Sequence, residues 1–311
     1  MRIGTRGSAL ALAQAELVGR ALIASGAIER YELVPVLTSG DRGLAREDKS
    51  RWIAELERAL ARDEVDVAVH SAKDVPAQMA PGLSLLGAPP RAAAGDALCG
   101  RCTLEELPSG ARVGTSSLRR RAQLSAARPD IEVVAVRGNV DTRLRKLSEG
   151  DARLDAIVLA RAALQRLSRE ADARELLDPE RFVPAPGQGV LALQGRAGDV
   201  RARAAAAAIT DRDTIACLLA ERALARELQA SCNTPLGAHA TPDEPGGLFL
   251  RGWVGLPDGS AWLFDELRGP ADAPERLGAA VARRMTLAGA AELLAGGEQM
   301  ARGLQHWPVG A

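Results

Sequence analysis

Short apolar runs alternate with amphipathic stretches that open on helix-capping residues, and this rhythm restricts most of the chain to α/β layers. Arg2–Thr5 reads as a strand, and Ser8 caps a helix over Ala9–Ser25 that stops at Gly26. Tyr31–Thr38 is a second strand, and Trp52–Arg62 is a helix with Ile53, Leu56 and Leu60 on one face. Val65–Ser71 and Leu83–Ala88 are apolar enough to be strands buried in a sheet. After Pro89-Pro90 the alternation restarts. Arg112–Gly114 is a strand, Ser116 or Ser117 caps a helix to Arg128, and Ile131–Val136 is a strand. Asn139 caps a helix to Glu149, and Asp155–Ala160 is a strand followed by a helix through Leu167. Pro184-Ala185-Pro186-Gly187-Gln188-Gly189 then breaks the chain like a hinge, before a strand at Val190–Leu193 and an alanine-rich helix at Val200–Ile209.

From about Asp211 the character changes. A long helix, Asp213–Leu228, leads into Ser231-Cys232-Asn233-Thr234-Pro235. Leu248–Val254 and Ala261–Leu267 flank Pro257-Asp258-Gly259-Ser260, a strong hairpin signal, and two helices follow at Pro274–Leu287 and Ala290–Leu294. At 311 residues the chain is long for a single core. The expected fold is α/β, with two α/β domains and a small α+β third domain carrying an antiparallel sheet. The expected boundaries are 1–89 with 190–208 for the first domain, 93–183 for the second and 212–311 for the third.

Composition narrows the function. No apolar run approaches the ~20 residues that cross a bilayer, and Met1-Arg2-Ile3-Gly4-Thr5 enters a strand with no leader. A cytoplasmic protein with no membrane partner is expected. Net charge is zero and aromatics are 3%, which argues against nucleic acid as a partner. The four cysteines do not make a disulfide framework, and Cys99-Gly-Arg-Cys102 lacks a second pair, so no metal site is expected. Of 40 basic residues only Lys49, Lys73 and Lys146 are lysine. That marks a lysine as a place where a point-charge ammonium is needed rather than a planar fork.

The candidate chemistry lies where strands end and helices begin, where backbone N–H groups favour anions. Arg6-Gly7-Ser8 is either a carboxylate cradle or a capped helix with a surface arginine. Lys73-Asp74 leaves an apolar strand and is pinned by Pro76, which suits acid–base chemistry: the carboxylate stabilises a developing cation and the ammonium holds an anionic substituent. Thr115, Ser116 and Ser117 open a helix with Arg119, Arg120 and Arg121 in its first turns. Consecutive helical residues diverge by about 100°. Arg119 and Arg120 can therefore reach two neighbouring carboxylates, and Arg121 is expected to face solvent. Arg137-Gly138-Asn139, with Arg143 one turn on, repeats the device, and Arg166 closes a third unit. Cys232 is either a small buried filler or a reactive thiol.

In unbroken order from Arg2 to about Ala240, these segments resemble the porphobilinogen deaminase (hydroxymethylbilane synthase) family. The resemblance is carried by Ile3-Gly4-Thr5-Arg6-Gly7-Ser8-Ala9-Leu10-Ala11-Leu12, His70-Ser71-Ala72-Lys73-Asp74-Val75-Pro76 and Gly114-Thr115-Ser116-Ser117-Leu118-Arg119-Arg120. Arg137-Gly138-Asn139-Val140, Pro186-Gly187-Gln188-Gly189 and Glu221-Arg222-Ala223-Leu224 add to it. The resemblance implies two domains like those of periplasmic binding proteins, with a cleft between them, and a third domain. On that third domain Cys232 would carry a dipyrromethane cofactor through a thioether. Four porphobilinogen molecules would add in turn, each losing ammonia, before hydrolytic release of hydroxymethylbilane. Asp74 would be the catalytic carboxylate. Arg6, Ser8, Lys73, Thr115, Ser117, Arg119, Arg120, Arg137, Arg143, Arg166 and Gln188 would bind the acetate and propionate groups of cofactor, substrate and chain. Lys49 and Trp52 stand where the family has a Gly-Leu-Phe lid. Gln194 replaces a frequent acidic residue, and Ser231 a usual glycine. The implied protein is a monomeric transferase of tetrapyrrole and heme synthesis whose product passes to uroporphyrinogen-III synthase. The competing reading is a non-catalytic two-lobed small-anion binding protein. A zinc or redox protein built on Cys99 and Cys102 ranks last.

Overall fold

The computed structural model describes residues 1–36, 49–76, 78–150, 153–230 and 234–304. Strand β1 (Arg2–Arg6) leads to helix α1 (Ala9–Ala24), where Ser8 Oγ accepts from Ala11 N at 3.3 Å. β2 (Glu32–Val36), α2 (Lys49–Ala61), β3 (Val67–Ser71) and β4 (Leu83–Gly87) follow, with a 3-10 turn over Ala72–Asp74 after β3. Next come β5 (Asp96–Gly100), β6 (Arg112–Gly114), α3 (Leu118–Ala127), β7 (Glu132–Val134) and α4 (Val140–Ser148). β8 (Ala156–Ala160), α5 (Arg161–Arg166), β9 (Glu175–Leu177), β10 (Leu191–Arg196), α6 (Val200–Ala208) and α7 (Arg212–Glu227) continue the chain. It closes with β11 (Leu236–Asp243), β12 (Gly247–Gly255), β13 (Trp262–Pro270), α8 (Pro274–Leu287) and α9 (Ala290–Leu304).

These elements form two compact units, Met1–Ala92 with Gly189–Ile215, and Ala93–Gln188 with Ala216–Ala311. The first holds a five-stranded sheet in the order β2-β1-β3-β10-β4. β1 is parallel to β2 and β3, and β10 runs antiparallel to β3 and β4. Strand alternation sorts its side chains between two layers. Val67, Val69, Leu191 and Leu193 pack with α1 and α6, while Ala68 packs with Leu56, Ala59 and Leu60 of α2.

The second unit repeats the plan in the order β7-β6-β8-β5-β9, with β6 parallel to β7 and β8 and β5 antiparallel to β8 and β9. It also contains the antiparallel sheet β11-β12-β13, backed by α7, α8 and α9 around Leu224, Leu250, Val281 and Met285. The α/β class and the small antiparallel module are therefore as the sequence led one to expect.

Three strands were not read from the sequence: β5, β9 and β11. β5 opens on a charge, Asp96; β9 has three residues; β11 contains Pro242. Pro242, Pro35 in β2 and Pro270 in β13 all lie on strands at a sheet edge, where a missing N–H breaks no central ladder. The last helix runs to Leu304 rather than Leu294. α9 continues through Gly296 and Gly297, and Gly297 lets the helix lie against Pro235 and Pro257.

Helices α7 and α8 touch without a side chain at Gly278, where a Cβ would lie 2.3 Å from Ala220 O and 2.7 Å from Ala223 Cβ. The obstacle is backbone, so no rotamer relieves it. Gly278→Ala should lower stability by about 1–3 kcal/mol despite the better helix propensity of alanine. Urea denaturation of the two proteins checks this.

Candidate functional site

In the first unit the parallel strands β1 and β3 are neighbours, with Ile3 opposite Val67 and Gly4 opposite Ala68. Their carboxyl ends therefore lie at one edge of the sheet, and Arg6-Gly7-Ser8 comes out beside Ser71-Ala72-Lys73-Asp74. Gln14 of α1 joins them, its Nε2 donating to Ser71 Oγ at 3.0 Å. The turn carrying Lys73 and Asp74 is held by Ala72 N donating to Val190 O at 3.0 Å and Val75 N to Ala72 O at 3.1 Å. Lys73 and Asp74 are half-buried there.

In the second unit β6, β7 and β8 are parallel, and each carboxyl end feeds a helix. Ser117 caps α3, its Oγ accepting from Arg120 N at 3.4 Å, and Thr115 Oγ1 accepts from Ser117 N at 3.2 Å. Asn139 caps α4 through Thr142 N at 2.8 Å. Before it Gly138 has a φ of 117°, a conformation that disfavours any other residue. Arg143 Nε donates to the Gly138 carbonyl at 2.8 Å, while Arg137 is exposed. Burial pulls the Arg166 guanidinium down to about 10.

Arg119 and Arg120 point inward instead, with 3% and 7% of their surface exposed. Both bind one carboxylate, that of Asp96 on β5: Arg119 Nη2 reaches Oδ2 and Arg120 Nη2 reaches Oδ1, each at 2.8 Å. Gln188 Nε2 donates to Asp96 Oδ1 at 2.7 Å and to Ala94 O at 2.6 Å. Arg119 also donates to Val183 O, and Arg120 to Val158 O. Burial alone would push the Asp96 carboxyl up, but the two guanidinium groups outweigh it and hold it below the usual carboxylate range. Asp96 was not found in the sequence. Its signal was a lone acid at the head of the apolar run Ala97-Leu98-Cys99, a charge that needs a buried partner. Arg121 is corrected: it is half-buried, with Nη1 donating to Val133 O at 2.8 Å. The turn at Gly259 lies against Ser125 and Ala126, covering α3 where solvent was expected.

Cys232 lies outside the described residues, as do the side chains of Lys49 and Trp52. Cys99 is buried, which pushes its thiol up to about 12 and makes it unreactive. Among the described residues no three His, Cys, Asp or Glu side chains gather as a metal site, and no helix is long and apolar enough to cross a membrane.

Arginine-bearing helix starts at the carboxyl ends of parallel strands are the arrangement of α/β proteins that hold anionic small molecules. Residues 1–204 match the family model described as Porphobilinogen deaminase, dipyromethane cofactor binding domain, and residues 215–286 match Porphobilinogen deaminase, C-terminal domain. The porphobilinogen deaminase of Sorangium cellulosum (strain So ce56) is 46% identical over 290 residues, covering 90% of this chain and 96% of that one. Those of Mycobacterium marinum and Mycobacterium tuberculosis (strain ATCC 25618 / H37Rv) are 45% identical over 309 residues, 95% of this chain and 97% and 99% of theirs. The methionine binding protein MetQ is similar over 67% of this chain and 89% of its own, at 11% identity and a TM-score of 0.41, too weak a likeness to bear on function. The chain belongs to the porphobilinogen deaminase family.

The residues present fit a dipyrromethane group, which carries carboxylates. Two buried guanidinium groups share the single charge of Asp96, leaving net positive charge. The Nε–H groups of Arg119 and Arg120 are buried with no hydrogen-bond partner among the described residues, so both guanidinium groups keep unused donor capacity.

Asp96→Asn should leave two buried cations uncompensated and cost about 3–5 kcal/mol. Because the native carboxyl lies below its unfolded value of about 3.9, its contribution is complete above that pH and is lost as pH falls toward the native value. Denaturant titrations at pH 7 and at stepwise lower pH should show the variant's deficit shrinking in the acid range. A deficit below ~1 kcal/mol at pH 7 would refute the role of Asp96 as the shared counter-charge.

Proposed function

We propose that this chain condenses four porphobilinogen molecules head to tail, releasing ammonia at each addition, and frees hydroxymethylbilane by hydrolysis. The observation that carries the reading is the meeting of Lys73-Asp74 with Arg6-Ser8 at one sheet edge in a chain of this family. The dipyrromethane group, attached through a thioether at Cys232, supplies the end on which the chain grows.

Asp74 is the catalytic carboxylate. As ammonia leaves porphobilinogen, an azafulvene cation develops, and a carboxylate in a half-buried turn stabilises it more than water does. Lys73 places an ammonium beside it for an anionic substituent, and Arg6 and Ser8 add a guanidinium and a hydroxyl. Arg119, Arg120, Arg137, Arg143 and Arg166, with Thr115, Ser117 and Gln188, hold acetate and propionate groups. Guanidinium forks suit this because each ring brings two carboxylates. Lys49 and Trp52 hold the sequence position of the family's lid. The three-domain division at 1–89 with 190–208, 93–183 and 212–311 follows the same reading. So do transferase chemistry, a monomeric state, a cytoplasmic location and delivery of the product to uroporphyrinogen-III synthase.

Intact-mass spectrometry under mild denaturation should find wild-type protein heavier than its sequence by a dipyrrole, and Cys232→Ser at its bare mass. Asp74→Asn should keep fold and added mass while its turnover falls at least about a hundredfold. Near wild-type ammonia release from that variant would remove Asp74 from the chemistry.

A further inference from the structure

Three polar side chains cross the otherwise apolar layer between α2 and the first sheet. His70 on β3 is 7% exposed and Gln194 on β10 is fully buried. They are diagonal neighbours on one face, since Gln194 pairs with Ala68 and Ala192 with His70. His70 Nε2 lies 3.0 Å from Gln194 Oε1, and Gln194 Nε2 donates to Glu57 Oε1 on α2 at 2.8 Å. Around them pack Leu56, Leu60, Val65 and Ala68. An apolar side chain would fill this layer without any hydrogen bond to satisfy, so the polar chain asks for a reason.

Its polarity is fixed from one end. A carboxylate only accepts, so the Gln194 amide nitrogen must face Glu57 and its oxygen must face the ring. That oxygen requires a proton on His70 Nε2. Burial lowers His70 to about 4, against the opposing effects of Gln194 and Asp74, so the ring is neutral at ordinary pH with its proton on the side Gln194 needs. The charged groups that reach this ring are Asp74, on the turn its own strand enters, and Glu57 through Gln194. α1 turns the uncharged Gln14 to the next residue, Ser71. The ends of the chain are unlike in kind. One is the helix whose first turn contains Lys49 and Trp52; the other is four residues before Asp74.

We propose that Gln194 is a positioning residue for the reaction, which through His70 and Glu57 fixes the turn bearing Lys73 and Asp74 relative to helix α2. The proposal rests on the reading of Asp74 given above. An amide donates at one end and accepts at the other without binding a proton. A carboxylate at this position would face Glu57 as a like charge unless one of the two bound a proton.

The test uses full-length, cofactor-loaded protein, with steady-state kinetics on porphobilinogen and hydrogen exchange at Ala72 and Val75. Gln194→Leu should lower kcat about tenfold or more with KM within about twofold, and should speed exchange at both amides. Gln194→Glu must bind an extra proton to reproduce the link. Its kcat relative to wild type should therefore be highest at the acid end and fall as pH rises, a step the wild type lacks. If Gln194→Leu does not fold, Glu57→Ala tests the same link and should match its losses, while Glu57→Gln, which keeps an acceptor oxygen, should restore turnover. Wild-type kcat with unchanged exchange in Gln194→Leu or Glu57→Ala overturns the proposal, as does a Gln194→Glu profile parallel to wild type at every pH. If Asp74→Asn turns over normally while exchange still responds to Gln194, the assignment of Asp74 fails and the structural link stands. A wild type that consumes no porphobilinogen overturns both.

Discussion

Asp96 sets one carboxylate between two guanidinium groups, and much of the second unit is arranged around that unequal pairing. It lies at the head of β5, receives Arg119 and Arg120 from the start of α3, and is closed over by Gln188. The Nη1 groups of Arg119 and Arg120 donate to the carbonyls of Val183 and Val158, so the cluster joins β5, α3, β8 and the segment after β9. A balanced pair would serve packing alone. Here one carboxylate faces two buried cations, so the charge is not balanced within the cluster.

The first unit solves a different problem on the same sheet plan. Among its most buried polar side chains are Thr5, Gln14, His70 and Gln194, which are uncharged. His70 and Gln194 stay within the layer, and Lys73 and Asp74 come out at the edge. The turn bearing Lys73 and Asp74 leaves the sheet next to a buried histidine–glutamine pair that continues to Glu57 of α2. The two units thus differ: one brings Lys73 and Asp74 out at a strand end, the other buries two guanidinium groups on a single carboxylate.

Most elements were legible because their signals are local. Ser8, Ser117 and Asn139 announce their helices by capping chemistry, and each is found capping. The parallel strands were legible from apolar runs. β5, β9 and β11 were not, because their identity depends on partners far along the chain rather than on their own residues. The same division holds for the chemistry. Lys73-Asp74 and the arginines stand out as residue types at helix starts, whereas Asp96 acquires meaning only when an antiparallel strand brings it beneath α3. Gln194 could be seen as a departure, but what it touches is a matter of register. The roles read for Cys232, Lys49 and Trp52 rest on a residue and side chains outside the described ones.

The order of strands in the first sheet also governs how this chain can be made. Among the described residues β4 pairs only with β10, and β10 lies between β3 and β4, yet it is translated after all of β5 to β9. As the chain emerges from the ribosome, β3 therefore presents an unpaired edge and β4 has no strand neighbour throughout synthesis of the intervening segment. The N-terminal residues cannot complete their sheet as an autonomous folding unit. They wait for Leu191–Arg196, and any interruption before that point leaves an apolar edge open to other chains.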